Sequence, residues 1–280
     1  ATLALSPMVD LIRTAHWPRI EESYGEDGYL SAAMGVAFVE GLQKNGLKDG
    51  VAACTKHFLG YGGGSSLTWK EIFEEVLMPH EAMIRLADCK VLMTSYGRFR
   101  SEQAVSSDTL LNKILRGYLE FDGLVVSDYG AVGHSSQKGN PEILKQRAIE
   151  ALVAGNDIEL PSNNCYKILP ELIKDGLIDE QYFEKAVKRS LMLKARLGLL
   201  STDRKLYTNG DLDLDCPQYR KTSYDLACQS IVLLKNNGVL SGKHKKIALV
   251  GPNANTYWCM LGDYTYQSMQ AFWWGRKNRS

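Results

Sequence analysis

Apolar positions along the chain follow two rhythms, and the alternation between them predicts the architecture. Short, nearly unbroken apolar runs occur at LALSPMVDL (3–11), GVAACTKHF (50–58), KVLMTSYG (90–97), GLVVSDYG (123–130) and AGNDIELP (154–161). Each reads as a short strand. Between them lie segments with helical spacing, at 31–44, 70–86, 108–118 and 141–154. Run and helix succeed each other at roughly one βα unit each, which predicts parallel α/β structure. Asp108, an acceptor just ahead of an apolar-periodic run, is the expected N-cap of the third helix. Pro79 falls inside the second and should kink or split it. A longer apolar stripe over 179–198 stops at Gly198, a residue suited to end a helix.

The pattern changes after that helix. Residues 201–220 are polar and turn-rich, with Asn209-Gly210 and Cys216-Pro217, and read as a linker. A helix over 221–235 and the strand KIALVG (246–251) then open a second α/β unit. The stretch beyond that strand is shorter than the ~50 residues a core normally needs. The expected organisation is therefore a first domain over 1–200, a linker over 201–220, and the beginning of a second domain over 221–280.

Composition narrows the partners. Of 280 residues 45% are hydrophobic and 23% charged, with 33 basic against 32 acidic side chains and a formal net charge of +1. Such a balance gives no field to attract polyanions, so nucleic acid is not an expected partner and a small neutral substrate is. No run of about 18 apolar residues occurs, so no membrane span is expected. The six cysteines lie far apart with no C-x-x-C pair, which argues against a zinc ribbon or a redox motif and leaves disulfides open. No cluster has metal-ligand spacing, so neither metal nor cofactor is expected. No secretion signal opens the chain. A secreted or periplasmic compartment is favoured over the cytoplasm, and the oligomeric state is not specified.

Three apolar runs finish in reactive side chains: Lys56-His57, Ser95-Tyr96 and Ser127-Asp128-Tyr129. In a parallel barrel, chemistry gathers at the carboxyl ends of the strands, where loops vary without disturbing the core. Each ending has a plainer reading. Asp128 can be an N-cap, His57 a satisfied buried histidine, and Tyr96 a ring packed over the rim. Together they suggest one reactive rim. A carboxylate at a strand tip can act as a nucleophile, while an ammonium and an imidazole can fix adjacent hydroxyls on an uncharged substrate. A Schiff base on Lys56 is the competing chemistry.

The blocks WPRIEESYGEDGYL (17–30), KHFLGYGGG (56–64), LRGYLEFDGLVVSDYGAV (115–132), LVAGNDIELP (152–161), AVKRSLMLKARLGLL (186–200) and SIVLLKNNGVL with KIALVGPNAN resemble family 3 of the glycoside hydrolases, the β-glucosidase and β-xylosidase group. The resemblance covers most of residues 5–262. It implies a TIM-like (β/α) barrel, incomplete at its amino end, followed by the start of an α/β sandwich domain. It also implies an exo-acting retaining β-glycosidase, first a β-glucosidase, with a β-xylosidase or a catalytically silent sugar-binding fragment as alternatives. Asp128 matches the family's nucleophile in the SDW or SDY motif. Lys56, His57 and Arg19 match contacts to the sugar, and Tyr96 matches a tyrosine beside the nucleophile. Pro18 stands where the family has glycine, so the loop carrying Arg19 is expected to follow another path. Glu22 and Glu26-Asp27 are expected to brace that loop. The family's acid/base glutamate belongs to a region beyond these blocks. Inside the chain only His134 and Glu159 offer themselves for that role, without motif support.

Overall fold

The computed structural model describes the backbone at all positions other than 45, 64–65, 134–139, 203–212, 214, 241, 244–245 and 275–280, and the side chains up to 271. The chain divides into two compact units, 1–206 and 207–280.

In the first unit, β1 (Leu3–Ala4), β2 (Ala52–Phe58), β3 (Val91–Thr94) and β6 (Leu124–Ser127) form one parallel sheet in the order β1-β2-β3-β6. Beyond β6 a fifth chain segment joins through a parallel bridge between Val126 and Ile158. The run at 3–11 continues along β2 past Pro7, with Met8 bridged to Lys56 and the Val9 N–H donating to the Lys56 carbonyl at 2.8 Å. Sheet order therefore follows chain order without reversal. A doubly wound sheet would change direction at a switch point; strictly sequential parallel strands are an arc of a TIM-like (β/α) barrel. A two-stranded hairpin of β4 (Arg98–Phe99) and β5 (Glu102–Gln103) leaves the loop after β3.

Both faces of the sheet are covered. Ala52, Cys54, Val91, Met93, Leu124 and Val126 form one apolar face with Leu193 and Leu197. Phe58, Leu92 and Val125 belong to the other, with Ile72, Leu77, Leu110, Leu111 and Leu115. This burial explains why the strand sequences are continuously apolar.

The helices are α1 (Gly28–Gln43), α2 (Trp69–Glu71), α3 (Met78–Arg85), α4 (Pro141–Ala154), α5 (Leu169–Lys174) and α6 (Glu180–Arg196). The expected helix at 70–86 is divided as Pro79 requires. A π-helical stretch, Ile72–Val76, separates α2 from α3, and Pro79 occupies the first turn of α3, where its missing N–H costs nothing. Gly198 adopts a left-handed φ of 67° beyond α6, as a helix-ending residue does. The helix at Thr109–Tyr118 is present but is capped differently from expectation. Asp108 is already helical, and its side chain makes no capping bond. Its carboxylate instead meets Asn112 and Lys113. The Leu110 N–H donates to Ser107 Oγ at 3.0 Å, so the buried serine one position earlier does the capping.

The second unit has α7 (Pro217–Gln229) and α8 (Tyr266–Trp274). The helix expected at 221–235 starts earlier, on Pro217, and ends before the β-branched Ile231 and Val232, which lower helical propensity. The strand expected at 246–251 does not form. Among the described residues of this unit no strand pairs with it, and an unpaired strand leaves its backbone groups without ladder partners. Ile247, Leu249 and Val250 are 81%, 77% and 89% exposed accordingly. Most of the expected linker, 203–212 and 214, lies outside the described residues.

Two measurements check this packing. Ser107→Ala should lower stability by about 1–2 kcal/mol, whereas Asp108→Ala should cost less than about 0.5. Urea-unfolding midpoints that rank the two the other way contradict the capping assignment. Buried His80 meets Thr55 Oγ1 through Nδ1 at 2.8 Å, and burial pushes its pKa from 6.5 down to about 4. Between those values the unfolded chain binds the proton and the folded chain does not, so stability falls as pH drops through that window. Each pH unit there costs up to about 1.4 kcal/mol. His80→Gln should flatten the pH dependence of the urea midpoint between pH 7 and 4.5, and an unchanged slope would show that His80 does not generate it.

Candidate active site

Because parallel strands end on the same rim, residues far apart in sequence meet there. Asp10 ends the segment that runs along β2, His57 lies near the end of β2, Ser95 and Tyr96 follow β3, and Asp128 follows β6. The pairing of β2 with β3 shifts at this point: Lys56 lies opposite Met93 and Phe58 opposite Thr94, so His57 is an extra residue on its strand. A bulge of this kind breaks the alternation of faces and re-aims the side chains around it. Lys56 and His57 both serve the rim as a result. His57 is buried among Asp10, Arg19 and Asp128, and the Lys56 ammonium interacts with the charges of Arg19, Glu22 and Asp128. Burial, with Arg19 second, lowers the Lys56 pKa.

One hydrogen-bonded chain organises these groups. Asp10 Oδ2 accepts the backbone N–H of His57 at 3.0 Å and pairs with His57 Nδ1 at 2.7 Å. On the other side of the ring, Arg19 Nη1 lies 3.1 Å from Nε2. Arg19 then donates from Nε and Nη2 to the two oxygens of Glu22, both at 2.6 Å. This bidentate pair is the geometry for which a guanidinium is best suited. Glu22 thus braces Arg19 as expected, and Asp27 caps α1 by accepting the Leu30 N–H at 2.6 Å. Pro18 does not carry Arg19 away from the rim.

The two oxygens of Asp128 are unlike. Oδ1 accepts the backbone N–H of Tyr129 at 2.7 Å. Oδ2 is buried and has no hydrogen-bond partner, although His57 Nε2 stands 3.3 Å away. A buried carboxylate oxygen left without a donor calls for an explanation. Tyr96, the fifth predicted residue, donates its hydroxyl to the Tyr129 carbonyl at 2.8 Å, and burial together with the Asp128 charge pushes its pKa up.

Two members of the cluster were not singled out in the sequence. Asp10 closes the first apolar run as Asp128 closes the fourth, so its position carried the same signal. Tyr61 lies inside the GYGGG segment and packs edge-on to His57 at 5.2 Å, to Trp17 at 5.7 Å, and near Tyr96 at 5.9 Å. The Arg19 guanidinium sits 5.6 Å from its ring centre. The neighbouring Gly62 lets this loop lie against the Leu11 backbone, since a Cβ there would be 2.4 Å from the Leu11 carbonyl oxygen. Glu159 is engaged elsewhere: its Oε2 accepts the N–H groups of Cys165 and Tyr166, both at 2.8 Å. His134 lies outside the described residues.

Comparison with known proteins identifies relatives of the chain. The model of the glycosyl hydrolase family 3 N-terminal domain matches residues 1–193. A β-xylosidase of Formosa agariphila is 33% identical over 279 residues, covering 91% of this chain and 39% of that protein. A periplasmic β-glucosidase of Salmonella typhimurium is 29% identical over 277 residues, covering 93% and 36%. The crystal structure of a β-glucosidase from Listeria innocua in complex with glucose superposes with a TM-score of 0.76 at 32% identity, over 85% of this chain and 35% of that one. The chain thus spans little more than a third of the length of the relatives it matches.

Proposed function

The chain belongs to glycoside hydrolase family 3, and from that premise we propose that it carries the sugar-binding and nucleophilic half of an exo-acting retaining β-glycosidase. The observation that carries the reading is the inequality of the Asp128 oxygens. Oδ1 is anchored by a backbone N–H, while Oδ2 is buried with no donor to satisfy it. An oxygen in that state has its lone pairs available. In the first step Oδ2 attacks the anomeric carbon, the carbon–oxygen bond to the leaving group breaks, and the departing oxygen takes a proton from an acid. Water then cleaves the glycosyl ester from the other side, releasing the sugar with its original anomeric configuration.

Arg19 and Lys56 stand beside Asp128 with donors for the hydroxyls of one sugar ring, and His57, whose two ring nitrogens face Asp10 and Arg19, orders them. Tyr96 steadies the turn that holds Asp128. The proton donor is assigned to none of the described rim carboxylates, because Asp10, Glu22 and Glu159 are engaged by His57, Arg19 and backbone N–H groups respectively. A terminal β-glucosyl residue is the first substrate reading, supported by the β-glucosidase structures that superpose on the chain. A β-xylosyl residue is the second, supported by β-xylosidases 33% and 32% identical to it.

Asp128→Asn should cut turnover of an aryl β-glucoside by on the order of 10⁴-fold or more, while sugar affinity stays within about tenfold, ~1.4 kcal/mol. Asp128→Ala with added azide should form the α-glycosyl azide, since azide entering where the carboxylate stood inverts the anomeric centre once. Near-normal turnover by the Asn variant would remove Asp128 from the mechanism. Unaltered sugar binding with no turnover in the unsubstituted protein would mark a silent sugar-binding module. The ratio of kcat/KM for aryl glucoside and xyloside decides the substrate, with the glucoside expected to be favoured.

A further inference from the structure

The unpartnered oxygen of Asp128 has a cause two residues away in space. His57 Nε2 is 3.3 Å from Oδ2, close enough to donate a proton to it, yet no hydrogen bond is made. The contact that Nε2 does make is with Arg19 Nη1 at 3.1 Å. A guanidinium nitrogen only donates, so Nε2 must be the acceptor and carry no proton. The ring proton then sits on Nδ1, where Asp10 Oδ2 receives it at 2.7 Å. That same oxygen also accepts the His57 backbone N–H, which fixes it as an acceptor. The Asp10 and His57 side chains are each only 1% exposed, so water cannot substitute for either partner.

We propose that Asp10 is a positioning residue that holds His57 as the neutral, Nδ1-protonated tautomer, so that Nε2 accepts from Arg19 and leaves Asp128 Oδ2 unprotonated and undonated, free to attack. The inference rests on the assignment of Asp128 as nucleophile and adds the group that keeps it reactive. The polarity of the chain is set from both ends by carboxylates. Asp10 orients the ring, and Glu22 takes two of the guanidinium's donors and points a third at Nε2. Were the proton on Nε2 instead, it would face two neighbours. One, Arg19, would repel it, and the other, Asp128 Oδ2, would bind it and lose a lone pair that the reaction needs. A ring held in the wrong tautomer therefore blocks the nucleophile without altering its position.

The test is the side-chain ¹⁵N spectrum of the protein labelled at histidine, near neutral pH, with His57 identified by the signal missing in His57→Gln. The long-range proton–nitrogen pattern distinguishes the two neutral tautomers and the doubly protonated ring. A protonated Nδ1 with a bare Nε2 is expected, and either an Nε2–H tautomer or an imidazolium would overturn the proposal. This spectrum is read whether or not the protein hydrolyses glycosides, so loss of the glycosidase reading and loss of this one remain separate results. Asp10→Ala should move the proton to Nε2 and lower kcat for an aryl β-glucoside by about tenfold to a hundredfold, the scale of loss known for partners that orient metal-bound histidines. KM should change less than kcat. Asp10→Asn keeps an oxygen acceptor in place and should lose less than the alanine variant. Should Asp10→Ala fail to fold, the unsubstituted spectrum together with Asp10→Asn decides, because an Asn variant with an Nδ1–H ring and a severe loss of kcat contradicts the role assigned to the tautomer.

Discussion

A single carboxylate oxygen, Asp10 Oδ2, holds the rim together. It accepts one bond from the backbone of His57 and one from its ring, so it fixes both where the bulged residue sits and how its imidazole turns. Such bonds to a charged, buried acceptor are worth more than ordinary ones, about 1.5–3 kcal/mol each. From this anchor the order propagates outward, from the ring to Arg19 and from Arg19 to Glu22. Each member of the chain is held by the one before it. Preorganised charges of this kind can act on a substrate without first rearranging.

The fold supplies the anchor by simple means. Parallel strands in sequential order bring their carboxyl ends to one rim, and a one-residue bulge in β2 turns His57 and Lys56 to the same task. Neither arrangement needs a long loop. The helices behind the sheet contribute apolar faces that cover it, and so leave the strands rigid where the reactive groups emerge.

Much of this was legible in the sequence. The short apolar runs alternating with helical segments marked parallel α/β structure, and Lys56, His57, Tyr96 and Asp128 stood out because polar groups ended those runs. Asp10 ended a run too, but one without a neighbouring reactive residue to set it apart. Tyr61 was hidden by its glycines: a tight turn accounts for GYGGG well enough without any role for the ring inside it. Ser107 and Asp108 are both good caps, and only backbone dihedrals decide between adjacent acceptors. The strand at 246–251 failed for a different reason. An apolar run states a capacity to pair, while pairing depends on a second strand being there. Tautomers lie further still from the sequence, since the proton on His57 is placed by three partners drawn from separate segments.

The central claim is that Asp128 Oδ2 bonds covalently to the sugar. A 2-deoxy-2-fluoro-β-glucoside with a good leaving group forms the glycosyl ester but slows its hydrolysis, because fluorine disfavours the positive charge that builds at the anomeric carbon. Digestion and mass spectrometry of the treated protein should find one added fluoro-sugar, on the peptide that contains Asp128 and on that side chain. A fluoro-sugar attached to any other residue, or steady hydrolysis of aryl β-glucosides with Asp128 never modified, would contradict the account.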